Sequence, residues 1–143
     1  MQTATVLVID DLADVRALLA EVLGFYGYAV VTAASVPEAE AVRKHLGWEG
    51  LDLVITDLRL TLRADAREGA DLIQGWHADR PQLPCILIGG DLRGEDVLTT
   101  LSLRGVWCLT KPFTMAAFLA TIQAALRYAP EALAMSEPRP PKG

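Results

Sequence analysis

Val6-Leu7-Val8-Ile9 is a short apolar run, largely β-branched, with no polar residue alternating through it. A strand with one wet face alternates. A run apolar on both faces predicts a strand buried on both, as in a parallel sheet covered by helices. The pattern recurs over Cys85 to Ile88 and Val106 to Leu109, and within Leu51 to Thr56, where Leu53-Val54-Ile55 leads to Asp57; a weaker version covers Ala29 to Ala33. Between these runs the apolar residues fall at helical spacing. Val15, Leu18, Leu19, Val22 and Leu23 form one stripe, closed by Gly24 and Gly27. Ser35 predicts a cap for a helix that opens Val36-Pro37-Glu38 and ends near Leu46. Leu72, Ile73 and Trp76 follow Gly69, a less apolar helix is predicted over 95–103, and Phe118, Leu119, Ile122 and Leu126 line a last helix from Thr114 to Arg127.

Five strands thus alternate with five helices. Parallel neighbours need crossover connections, and those are right-handed. The expected fold is α/β, a doubly wound five-stranded parallel sheet in a flavodoxin-like three-layer sandwich. Such sheets place ligands beyond the carboxyl ends of their strands. A single domain is expected over 1–128. The polar, proline-rich end from 129 to 143 reads as a flexible tail or linker.

Hydrophobic residues at 52% and charged residues at 22% exclude a disordered chain. A net charge of −5 argues against direct nucleic-acid binding by a basic surface. No apolar run is long enough for a membrane span, and no basic leader precedes the first strand, so a cytoplasmic location is expected. Cys85 and Cys108 have no metal-ligand spacing and read as buried thiols; they could pair only if their strands adjoined in register.

The chemistry stands at the predicted strand ends. The first strand delivers Asp10 and Asp11, the third Asp57, the fifth Lys111. Taken singly, each has an ordinary explanation, since an Asp-Asp pair after a strand can simply make a turn and a helix cap. Together they would put three carboxylates in one pocket, where two like charges ~4 Å apart cost ~4 kcal/mol at an effective dielectric of ~20. A hard divalent cation with oxygen ligands relieves that repulsion, and Mg2+ fits because it takes few carboxylates plus phosphate oxygens. With Lys111 supplying further positive charge, the set reads as an electrostatic clamp for phosphoryl transfer with Asp57 as nucleophile.

These residues give the chain a resemblance to the response-regulator receiver domains of two-component signalling, over roughly Ala4 to Leu126. The matching segments are VLVIDD at 6–11, DLVITD at 52–57, LPCILI at 83–88 and LTKPF at 109–113. The resemblance implies the strand order 2-1-3-4-5 and an acyl phosphate formed on Asp57 from a phosphohistidine of a sensor histidine kinase or phosphotransfer protein. It implies Mg2+ held by Asp10, Asp11, Asp57 and the backbone carbonyl of Arg59, with Lys111 on the phosphoryl group, and a cis bond before Pro112. It also implies a partner or homodimer surface on the fourth helix, fifth strand and last helix, near Val106 and Trp107.

The sequence departs from that family in three places. Gly89 stands where a Ser or Thr usually ends the fourth strand, and Cys108 stands where an aromatic usually sits in the fifth. A hydrogen bond to a charged group is worth ~1.5–3 kcal/mol, so its loss is roughly a 10- to 150-fold change in bias between two states. Thr56 and Thr110 neighbour the site, but alternation points them away from Asp57 and Lys111. The third departure is the long segment from Leu58 to Glu68, carrying Arg59, Arg63 and Arg67; it reads as a surface loop or a lid. Arg59 and Asp91 are expected at the mouth of the pocket as a gate.

The leading expectation is a phosphorylatable receiver without its own output domain and with an atypical switch. It is not a turnover enzyme beyond its own phosphorylation and dephosphorylation. One alternative is a phosphate-independent interaction module, or a receiver belonging to a hybrid histidine kinase. Another is an aspartyl-nucleophile phosphatase, which Arg59 opposes by occupying the place of the second acid.

Overall fold

The computed structural model describes residues 3–61, 67–90 and 106–136, with side chains of the last helix described through 127. The element order is β1 (Thr5–Ile9), α1 (Ala13–Phe25), β2 (Ala29–Ala33), α2 (Val36–Leu46), a 3-10 turn at Trp48–Gly50, β3 (Leu53–Asp57), α3 (Glu68–Asp79), β4 (Cys85–Gly89), β5 (Val106–Thr110) and α4 (Met115–Ser136). The five strands form one sheet in the order β2-β1-β3-β4-β5, and every pair is parallel. The helix predicted over 95–103 lies outside the described residues, as do Asp91 and Arg63.

The unbroken apolar runs are explained by what covers the sheet. Val6, Val8, Leu53, Ile55, Ile86, Ile88 and Leu109 face one side, against Leu19 and Leu23 of α1 and Phe118, Ile122 and Ala125 of α4. Leu7, Ile9, Val54, Cys85, Leu87 and Val106 face the other, against Ala39 of α2 and Ala70, Leu72, Ile73 and Trp76 of α3. Alternate residues therefore enter two different cores, and neither can be polar without leaving an unpaired group in an apolar layer. The edge strand β2 is only partly covered, which is why its apolar signal is the weakest.

Local chemistry sets the ends of the helices. At α2 the Ser35 hydroxyl accepts from the Glu38 amide at 3.3 Å, while the Glu38 carboxylate accepts from the Ala34 amide at 2.8 Å, a capping-box arrangement with Pro37 in the first turn. Gly47, at φ 74°, turns the chain out of that helix.

Two expectations from sequence are corrected. The last helix does not end at Arg127 but runs to Ser136. Pro130 reads as a break, yet it removes a single backbone donor, and the Glu-Ala-Leu-Ala-Met run that follows consists of strong helix formers. The cysteines are both free, and only Cys85 is buried; Cys108 is half-buried. Register explains the absence of a bridge, because Cys85 pairs with Val106 and Cys108 with Leu87.

The loop after β3 returns to the strand it left. The Gly69 amide donates to the Leu58 carbonyl at 3.0 Å, and a β-carbon at Gly69 would overlap the Asp57 carbonyl oxygen and crowd the Thr56 hydroxyl. Gly69→Ala should therefore lower unfolding stability by about 2–3 kcal/mol in urea denaturation, because the opposing atoms are backbone. Gly75→Ala, in the exposed interior of the same helix with open space around it, should instead raise stability by about 0.5–1 kcal/mol.

Candidate functional site

The parallel register brings the carboxyl ends of β1, β3, β4 and β5 to one edge. There, one carboxylate oxygen from each of Asp10, Asp11 and Asp57 lies within 4.8 Å of the others. Asp10 is 3% exposed and Asp57 8%, while Asp11 is half-buried. Sequence separation of almost fifty residues between the pair and Asp57 is closed by the β1–β3 pairing, in which Ile9 stands beside Thr56.

Backbone contacts fix the acids. The Asp10 amide donates to the Ala33 carbonyl at 3.1 Å, and its Oδ1 accepts from the Leu12 amide at 2.9 Å, which shapes the turn into α1. Asp57 Oδ1 accepts from the Leu58 amide at 3.0 Å, and that amide also donates to the Ile88 carbonyl at 2.7 Å. Asp57 Oδ2 accepts from Lys111 Nζ at 3.0 Å. The Lys111 amide in turn donates to the Gly89 carbonyl at 2.8 Å, so the lysine extends from the end of β5 with its main chain tied to β4. The Lys111–Pro112 peptide bond is cis.

Burial pushes the Asp10 carboxyl above the usual carboxylate range, the Leu12 amide opposes the shift, and the Asp57 charge adds to it. Asp57 is raised as well, again mainly by burial, with the Lys111 hydrogen bond and charge opposing. Both anions are thus held at a cost, and Lys111 offsets part of it. Three oxygen ligands in this setting suit a hard divalent cation, which would favour the charged forms of all three acids.

The remaining residues singled out from sequence fall as follows. Gly89 is buried at the end of β4, side by side with Thr110. Cys108 lies mid-β5 beside Leu87, and burial raises its thiol pKa. Thr56 is wholly buried, and its hydroxyl donates to the Asp57 carbonyl at 3.0 Å rather than entering the pocket. Arg59 is exposed; its proposed gate partner Asp91 lies outside the described residues. Val106 is buried, and Trp107 is half-buried against the α1/α4 core. Sequence reasoning missed Arg16. Its Nη1 donates to the Asp10 carbonyl at 2.8 Å, although in the helical pattern it is merely a polar position between Val15 and Leu19.

Fold and site together define a phosphoacceptor-type signalling domain. The profile of the response regulator receiver domain matches residues 6–123, and the chain belongs to that family. It is 32% identical over 126 residues to "Regulatory protein VirG" of Rhizobium rhizogenes, covering 87% of this chain and 49% of that protein. The chain spans about half the length of the curated relatives it matches. Among solved structures, a response regulator receiver domain protein from Clostridium thermocellum superposes with TM-score 0.72 at 25% identity, covering 87% of this chain and 94% of that one. NtrX from Brucella abortus gives TM-score 0.76 at 25% identity, covering 96% of this chain and 30% of that one. Receiver domains are signalling domains of two-component systems that generally bind Mg2+ at an acidic pocket. No helix among the described residues is long and apolar enough to cross a membrane.

The raised carboxyls have a signed consequence. Their folded-state pKa values exceed the unfolded value of 3.8, so protonation favours the folded state. That contribution is full below the unfolded value and is lost as pH rises through the folded ones. In metal-free buffer at pH 7, Asp10→Asn, which keeps the acceptor for the Leu12 amide, should raise the thermal midpoint by about 4 °C. The gain should shrink as the pH is lowered toward 4.

Proposed function

We propose that this chain accepts a phosphoryl group on Asp57 from the phosphohistidine of a sensor histidine kinase or phosphotransfer protein. The observation that carries the reading is the Asp57 carboxylate held 3.0 Å from Lys111, with Asp10 and Asp11 placed to share one cation with it. An Asp57 carboxylate oxygen forms a bond to phosphorus as the phosphorus–nitrogen bond breaks, and the bonding pair stays on the imidazole. Lys111 shifts from the carboxylate to the phosphoryl oxygens and neutralises part of their charge. Asp10, Asp11, Asp57 and the Arg59 backbone carbonyl would hold Mg2+, which supplies the rest of that neutralisation when bound.

The receiver unit takes in 1–128, since Leu126 is the last described side chain of α4 that packs on the sheet. The chain from 129 on, in which α4 continues to Ser136, would serve as a tail or linker. Output passes through a partner, a homodimer face on the helix expected over 95–103, the fifth strand and the last helix, or sequence outside this chain. A cytoplasmic location accords with a kinase as donor.

Gly89 and Cys108 favour an altered readout. Gly89 brings no hydroxyl to the phosphoryl group, and the buried Thr56 hydroxyl is already engaged. Phosphorylation is therefore separated from the usual switch, and the limiting case is an interaction module whose binding ignores phosphate. Incubation with a small phosphodonor and Mg2+ should add one phosphoryl group by intact mass, absent in Asp57→Asn. No gain on the wild type would leave the phosphate-independent module as the reading. In NMR spectra, a phosphoryl mimic should shift residues around Asp57 and leave β5 nearly unmoved; large shifts along β5 would contradict the altered switch.

A further inference from the structure

The polar groups of Asp10 are almost all assigned. Its amide bonds Ala33, its Oδ1 bonds Leu12, and its carbonyl accepts from Arg16 Nη1 at 2.8 Å. Arg16 stands on the first turns of α1, while Asp10 precedes the turn into that helix. The guanidinium therefore ties the helix back onto the end of β1. Leu12, at the helix N-cap, makes no side-chain cap. The turn bearing two of the three clustered acids is closed instead by the Asp10 carboxylate from inside and by Arg16 from the helix.

Resting on the phosphoacceptor reading above, we propose that Arg16 is a positioning residue for divalent-cation binding. By holding the Asp10 carbonyl, it sets the plane of the Asp10–Asp11 peptide, and hence where both carboxylates point relative to Asp57. Two effects of Arg16 oppose each other. Its positive charge near a cation site weakens cation binding, whereas its grip on the turn strengthens binding by fixing the ligands in advance. A planar donor at 2.8 Å on a half-buried carbonyl makes the grip the larger effect. Residues that hold a ligand's other groups typically change metal affinity about 10- to 100-fold when removed.

The test is Mg2+ affinity by isothermal titration calorimetry on the full chain. Arg16→Ala should raise the Kd about tenfold. Arg16→Lys, which keeps charge and a donor, should recover most of the loss. Arg16→Met keeps the apolar stem and is read in the same way where Arg16→Ala does not fold. In an Asp10→Asn background the backbone carbonyl and Asp11 remain, so Arg16→Ala should still weaken binding, but by less than in the wild type, because one of the two positioned carboxylates is gone. An unchanged or tighter Kd, or an equal loss in both backgrounds, overturns the proposal, as does a lower thermal midpoint in EDTA with no change in Kd. A wild type that binds no Mg2+ overturns the metal-assisted reading itself and the role of Arg16 with it.

Discussion

Three carboxylates share a space in which their nearest oxygens lie within 4.8 Å of one another, and only a rigid backbone keeps them there. Left to side-chain freedom, they would turn outward into water. The sheet prevents this. Asp10 and Asp57 leave adjacent parallel strands whose register is fixed by residues apolar on both faces, and a slip of one residue would send core side chains into the wrong layer. The sandwich thus holds like charges together, at an energetic cost visible in the raised Asp10 and Asp57 carboxyls. Lys111 offsets part of that cost. A bound divalent cation would offset the rest.

Several distant features serve this one edge. Gly69 lets the start of α3 pack against the Asp57 carbonyl, where any side chain would collide. The Lys111 amide is tied to the Gly89 carbonyl, so the cationic group is delivered from β5 across β4 to β3. Of the two residues that set this chain apart, Gly89 meets Lys111 only through its backbone carbonyl, and Cys108 pairs with Leu87. Both lie on β4 and β5, on the far side of β3 from β1.

The sequence was most legible where burial is two-sided. Runs such as Val6 to Ile9 and Cys85 to Ile88 have no alternation to misread, and their alternation with helices puts Asp10, Asp11, Asp57 and Lys111 at one edge. It was least legible where a single residue's context decides. Pro130 looks like a stop, yet the helix continues because its neighbours favour helix strongly enough to tolerate one missing donor. Cys108 lies in an apolar run, but it is only half-buried on an edge strand. Arg16 carried no signal at all. A hydrogen bond from a side chain to a backbone carbonyl six residues earlier leaves no trace in periodicity or composition.

The central claim is that Asp57, among three clustered carboxylates, is the one that takes the phosphoryl group. Borohydride reduces an acyl phosphate to an alcohol, so the modified aspartate becomes homoserine and can be located by peptide sequencing in a mass spectrometer. After treatment with a phosphodonor and Mg2+, homoserine should appear at position 57 alone. Homoserine at Asp10 or Asp11, or an acid-stable phosphate on another residue with Asp57 intact, would contradict the account.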